Sequence, residues 1–76
     1  MEHNHVANTI TKQLGERVKS LRKEKELTQE ELAGKSGISL KYIQRIEGKK
    51  PPNLGIVKVQ ELAKGFGIEP WQLLKF

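Results

Sequence analysis

The apolar residues Ile10, Leu14, Val18 and Leu21 recur at intervals of 4, 4 and 3, the spacing that lines up one face of an α-helix. Lys12, Arg17, Lys19 and Lys23 fall off that face, so the pattern predicts an amphipathic helix from Ile10 to about Lys25, with Thr9 or Thr11 capping its start. Leu27 packs down behind it. Thr28 and Glu31 then have the spacing of a capping box, each side chain bonding the other's backbone N–H, which starts a second helix that carries Leu32 and Ala33 inward. That helix is expected to end near Lys35 or Ser36. Gly37 supplies a residue that tolerates positive φ, and Ser39 caps a third helix whose inner stripe is Ile43 and Ile46. The segment from Gly48 to Gly55, with Pro51, Pro52 and Asn53, reads as a loop. Ile56, Val59, Leu62, Ala63 and Phe66 mark a fourth helix ended by Gly65 or Gly67. Pro70 suits the first position of a last short helix, with Trp71 and Leu74 facing the core and Glu69 near its positive end. Five helices account for nearly every apolar residue, and no stretch alternates with period two, so the expected fold is all-α.

Composition narrows the class. A chain of 76 residues has room for one small domain, which buries only about 60% of its unfolded surface. We assign residues 9–76 to that domain and residues 1–8, polar and unpatterned, to a flexible arm. Without cysteine there is no disulfide, thiolate metal site or cysteine nucleophile. No apolar run approaches the roughly 18 residues that span a bilayer, and no signal-like start is visible, so a cytoplasmic protein is expected. His3 and His5 are the only residues that invite a metal reading, and a disordered start accounts for them better; no metal or cofactor is expected. The net charge of +5 is gathered in blocks, with +3 over residues 1–25, −2 over 26–36 and +3 over 37–50. Such blocks suit a polyanionic partner or simply a solvated surface.

The spacing adds a further observation without deciding between these readings. Two short helices joined through Gly37 make a helix-turn-helix. With Ile43 and Ile46 turned inward, the 100° step per residue leaves Leu40, Lys41, Gln44 and Arg45 turned outward, with Ser39 at the amino end. Arg45 and Lys41 match the O6 and N7 acceptors of guanine, Gln44 matches adenine and Leu40 a thymine methyl. Solvation is the bland alternative for the same face.

The segment LGERVKSLRKEKELTQEELAGKSGISLKYIQRIEGKK, followed by LAKGFGIEPWQLL, resembles the Cro and C1 type of helix-turn-helix regulators, the XRE family, over residues 14–74. The match joins Gln29, Leu32, Ala33, Gly37, Ile38, Ile43, Ile46 and Glu47 at fixed spacing. The resemblance implies a compact five-helix, lambda-repressor-like domain that binds double-stranded DNA as a transcriptional regulator, repressor or controller, with the third helix in the major groove. It implies phosphate contacts at the helix ends capped by Thr28 and Ser39, and a backbone-touching, buttressing role for Gln29. Tyr42, Lys49 and Lys50 are further phosphate candidates, although the two lysines equally suit a solvated loop. Arg22 and Glu47 match a structural ion pair. A homodimer on a pseudo-palindromic operator is implied, with Trp71, Leu73, Leu74 and Phe76 as candidate interface residues; Trp71 also suits the core.

Two departures stand out. Gly48 follows Glu47 at once, where the family pattern has an intervening residue, and the loop is re-spaced around Pro51 and Pro52. Ser36 replaces a residue that is more often apolar, which predicts looser packing at the turn. Rival readings are a DNA-binding antitoxin or a protein-interaction module using the same helix-turn-helix face, although the chain has little surplus sequence to hold a protein partner. No membrane role is indicated. An enzyme is the weakest reading: no Ser, His and Asp grouping, carboxylate pair or glycine-rich phosphate loop is in place, and no catalytic residue is assigned.

Overall fold

The structure is a computed structural model that describes the backbone of residues 2–76 and the side chains of residues 9–76. It contains α1 (Glu2–Glu24), α2 (Gln29–Ser36), α3 (Leu40–Ile46), α4 (Ile56–Phe66) and α5 (Pro70–Leu73). The backbone of residues 2–8, expected as an arm, continues α1, so the helix starts at Glu2 rather than near Ile10 and Thr9 and Thr11 lie inside it; the side chains of residues 1–8, His3 and His5 among them, lie outside the described residues. Among the described residues no helix is long and apolar enough to cross a membrane.

Local chemistry sets the helix ends. The Thr28 hydroxyl accepts from the Glu31 N–H at 3.0 Å, and the Glu31 carboxylate accepts from the Thr28 N–H at 2.8 Å. Gly37 closes α2 at φ +78°, and Ser39 Oγ accepts from the Tyr42 N–H to start α3. Gly67, at φ +72°, ends α4. Glu69 and Gln72 form a second capping box, so α5 starts at Pro70 as expected. The end of α1 is less ordinary. The Leu27 N–H bonds to Arg22 O and the Glu26 N–H to Lys23 O, which is a Schellman motif. Its left-handed position, φ +57°, is held by Glu26 where glycine is usual.

The core joins all five helices: Leu14, Val18 and Leu21 from α1, Leu32, Ile43 and Ile46 from the helix-turn-helix, Val59, Leu62 and Phe66 from α4, and Leu73 from α5, with Ile38 from the turn. Two glycines set how closely helices approach. A Cβ at Gly65 would fall 2.8 Å from the Ser36 Cβ, so α2 and α4 cross here in near backbone contact. Gly65 therefore lies within α4 and only Gly67 terminates it. Ser36 is buried, its hydroxyl accepting from the Ile38 N–H at 3.1 Å and donating to Ala33 O. The turn is thus closely packed, contrary to the looser packing expected of a serine, because a small side chain with a satisfied hydroxyl suits this crossing. Gly15 likewise lets α1 press against the Ile46 carbonyl and the Pro51 ring.

Other expectations are corrected at the edges. Trp71 is 63% exposed and Leu74 44% exposed, while Leu73, at 0%, fills the core position. Arg17 explains the rotation: its guanidinium donates to Gln72 O at 2.9 Å and Leu73 O at 3.4 Å, tying the end of α5 to α1. Ile10 and Ile56 are exposed as well, since the core covers α1 only from Leu14 onward and α4 only from Val59 onward.

Candidate nucleic-acid interface

The helix-turn-helix is braced from behind. Arg22 grips Glu47 through two hydrogen bonds, Nε to Oε2 at 2.8 Å and Nη2 to Oε1 at 3.0 Å, and its Nη1 donates to Leu27 O at 2.7 Å. Gln29 Nε2 donates to the same Glu47 Oε1 at 3.1 Å. One carboxylate, 3% exposed, therefore joins α1, the start of α2 and the end of α3. The hydrogen bonding to Glu47, with the attraction of its charge, raises the Arg22 pKa above its ordinary value, against the opposing pull of burial. Among the described residues no buried side-chain polar atom lacks a partner.

That brace fixes which side of α3 faces out. Ile43 and Ile46 are buried; Ser39, Lys41, Gln44 and Arg45 are exposed, and Leu40 is half-buried at the edge of the same face. Lys41, Gln44 and Arg45 thus present two cations and an amide on one rigid helix. Tyr42 is half-buried against the core, and its ring lies beneath the Arg45 guanidinium. The helix ends differ from one another. The start of α2 carries Glu30 and Glu31, the latter folded onto the cap, whereas the first turn of α3 has no acidic residue. Thr28 is exposed at the α2 start, and Gln29 is half-buried and turned toward Glu47.

Lys49 and Lys50 are exposed beyond α3. With Thr11, Lys12 and Pro51 they line a cleft of about 420 Å³, held together where Thr11 Oγ1 donates to Asn53 Oδ1 at 3.0 Å. The hydrophobic pattern predicts for Lys12 only an outward place on α1. The signal for its position was Gly15, a glycine inside a helical pattern and one turn from Lys12, which marks a close approach of another segment.

The candidate dimer residues divide. Trp71, Leu74 and Phe76 are exposed, and so are Ile56 and Val57 at the start of α4. Leu73 is removed from that set because it is wholly inside the core. Among the described residues no group of His, Cys, Asp or Glu is placed to hold a metal ion.

Comparison with known proteins agrees with this architecture. Residues 15–75 match the helix-turn-helix domain family. The chain is 36% identical over 66 residues to the HTH-type transcriptional regulator y4dJ of Sinorhizobium fredii, covering 86% of this chain and 83% of that protein. The crystal structure of the restriction-modification controller protein C.AhdI from Aeromonas hydrophila superposes with a TM-score of 0.76 at 35% identity, over 83% of this chain and 94% of that one. With the braced turn, the capped helices and these matches together, the chain belongs to the helix-turn-helix family of Cro/C1-type (XRE) transcriptional regulators.

Proposed function

We propose that the protein binds a specific duplex DNA sequence by laying α3 in the major groove, and that it regulates transcription as a homodimer on a pseudo-palindromic operator. The observation that carries this reading is the outward face of α3, where Lys41, Gln44 and Arg45 project side by side from a helix whose opposite face is locked in the core. Arginine and lysine there match guanine, and Gln44 matches adenine. Phosphates on either side of the groove meet the amide end of α3 at Ser39 and the lysines of the 49–50 loop, with Thr28 and Gln29 at the start of α2 closest to the flanking strand.

One such module contacts only about 600–1,000 Å² of surface, which gives modest affinity for half a site. Pairing two copies through the exposed Trp71, Leu74, Phe76, Ile56 and Val57 supplies the second half-site, roughly 34–36 Å away. A controller-type role fits the likeness to C.AhdI, and this reading requires neither catalysis nor a cofactor.

Selection of bound duplexes from a random pool tests it. The winners are expected to be symmetric, and with about four to six phosphate contacts per protomer, log K against log salt should fall with a slope near −4 to −5. A pool that yields no preferred sequence, or binding to protein with a shallow salt dependence, would refute it.

A further inference from the structure

Two cations from different helices lie over the ring of Tyr42. The Arg45 Cζ lies 5.6 Å from the centre of its ring and the Lys58 Nζ of α4 lies 5.5 Å from it. Both distances are within the range at which a cation is drawn to an aromatic face. The two cations differ in what else holds them. Lys58 is ion-paired to Glu61 at 3.2 Å, one turn further along α4. Arg45 has no ion pair among the described residues, and the tyrosine ring is its neighbour. The ring itself is half-buried and packed on the core cluster.

An exposed arginine samples many rotamers, and ordering it on a base edge costs entropy at the moment of binding. A guanidinium drawn over the face of a packed ring has already lost part of that freedom, so less is lost when it bonds a base. The ring is held by its packing on the core cluster, so it stays in place when Arg45 reaches outward. We propose that Tyr42 is a positioning residue for sequence discrimination: it aims Arg45, and the base preference at the pair read by Arg45 depends on the aromatic ring rather than on the phenol hydroxyl. This rests on the reading of α3 as the groove helix and adds to it the residue that gives one base contact its sharpness.

Discrimination is the right readout, because a merely destabilised variant lowers affinity for cognate and altered duplexes alike and leaves their ratio unchanged. The experiment compares binding to the selected duplex with binding to the same duplex changed at the base pair to which Arg45→Ala is most sensitive. Tyr42→Leu is expected to reduce that ratio about three- to tenfold while leaving the salt slope unaltered. Tyr42→Phe, which keeps the ring, is expected to rescue the ratio. In an Arg45→Ala background Tyr42→Leu should have no further effect on it. In the free wild-type protein, the Arg45 side-chain protons should show ring-current shifts in the NMR spectrum, a measurement that needs no variant to fold. Undiminished discrimination in Tyr42→Leu, equal losses in Tyr42→Phe and Tyr42→Leu, or unshifted Arg45 protons would overturn the inference alone. A wild-type protein indifferent to every duplex would overturn the reading on which it rests, and the inference with it.

Discussion

Replacing Glu47 by alanine tests the brace behind the helix-turn-helix most severely. The change removes three hydrogen bonds, two from Arg22 and one from Gln29. It also strands a guanidinium whose side chain is only 12% exposed. Breaking a buried pair costs about 3–5 kcal/mol because the remaining charge is left uncompensated. Arg22 keeps its bond to Leu27 O and lies close enough to solvent to recover some hydration, so the lower end, about 3 kcal/mol, is expected. A 76-residue chain has roughly 4–11 kcal/mol of stability in all, and each 1 kcal/mol moves the midpoint of a domain this small by about 4–8 °C. Urea and thermal unfolding followed by far-ultraviolet circular dichroism at 222 nm measure the loss; tryptophan emission is a poor probe, since Trp71 is mostly exposed already. The double variant Arg22→Met, Glu47→Leu should regain most of the lost stability, because it removes both charges and fills the space with hydrocarbon. A loss below about 1 kcal/mol for Glu47→Ala would show that the pair behaves as a surface contact and refute the reasoning. The sign of the pH dependence is also fixed. The Arg22 pKa is raised by folding, so its contribution is complete below the ordinary arginine value and is lost only as pH rises beyond it. Arg22 itself should therefore contribute no change in stability between pH 5 and 10.

Other perturbations follow from the backbone and the proposed interface. Glu26→Gly should stabilise by about 1 kcal/mol in urea unfolding, since a left-handed position costs a side-chain-bearing residue about 1–2 kcal/mol and the added freedom of the unfolded glycine chain returns part of it. Gly65→Ala should destabilise by about 1–2 kcal/mol as α2 and α4 are forced apart at Ser36, whereas Gly34→Ala, where a new Cβ meets nothing within 4 Å, should gain about 0.5–1 kcal/mol from helix propensity; equal effects at the two sites would count against the close crossing. On DNA, Arg45→Ala should cost about 1–3 kcal/mol at one base pair, while Lys49→Ala should weaken all sequences alike and reduce the salt slope by about 1. Equal losses for Arg45→Ala on cognate and random duplexes would mean that it grips phosphate.

Much of this fold can be read from the chain because its helix ends are written in local chemistry. Thr28 with Glu31, Ser39, Gly37, Gly67 and Pro70 act within one turn of themselves, and each marks the boundary that the structure shows. What depends on distant segments is not legible in the same way. Gly15 and Gly65 sit inside helices for the sake of backbones that cross them, and Gly65 therefore reads equally well as a terminator. The four residues of α5 are too few to define an apolar face; Trp71 and Leu73 exchange roles because Arg17, more than fifty residues earlier, holds the carbonyls of Gln72 and Leu73. Glu26 gives no sign of its left-handed backbone, since the usual glycine is missing. At the site, the outward stripe of α3 follows from two buried isoleucines and a rotation per residue, whereas the pairing of Arg22 with Glu47 came from resemblance and the addition of Gln29 to that carboxylate only from geometry.

The shared Glu47 carboxylate also limits how this module can move. Because α1, α2 and α3 converge on one anion, none of them can tilt alone without breaking a hydrogen bond to a buried carboxylate. The three should exchange their amide hydrogens as a single opening unit. On the proposed reading, misfit to a duplex should be taken up by bending the nucleic acid, so a sequence that bends easily should be favoured even at positions no side chain reaches.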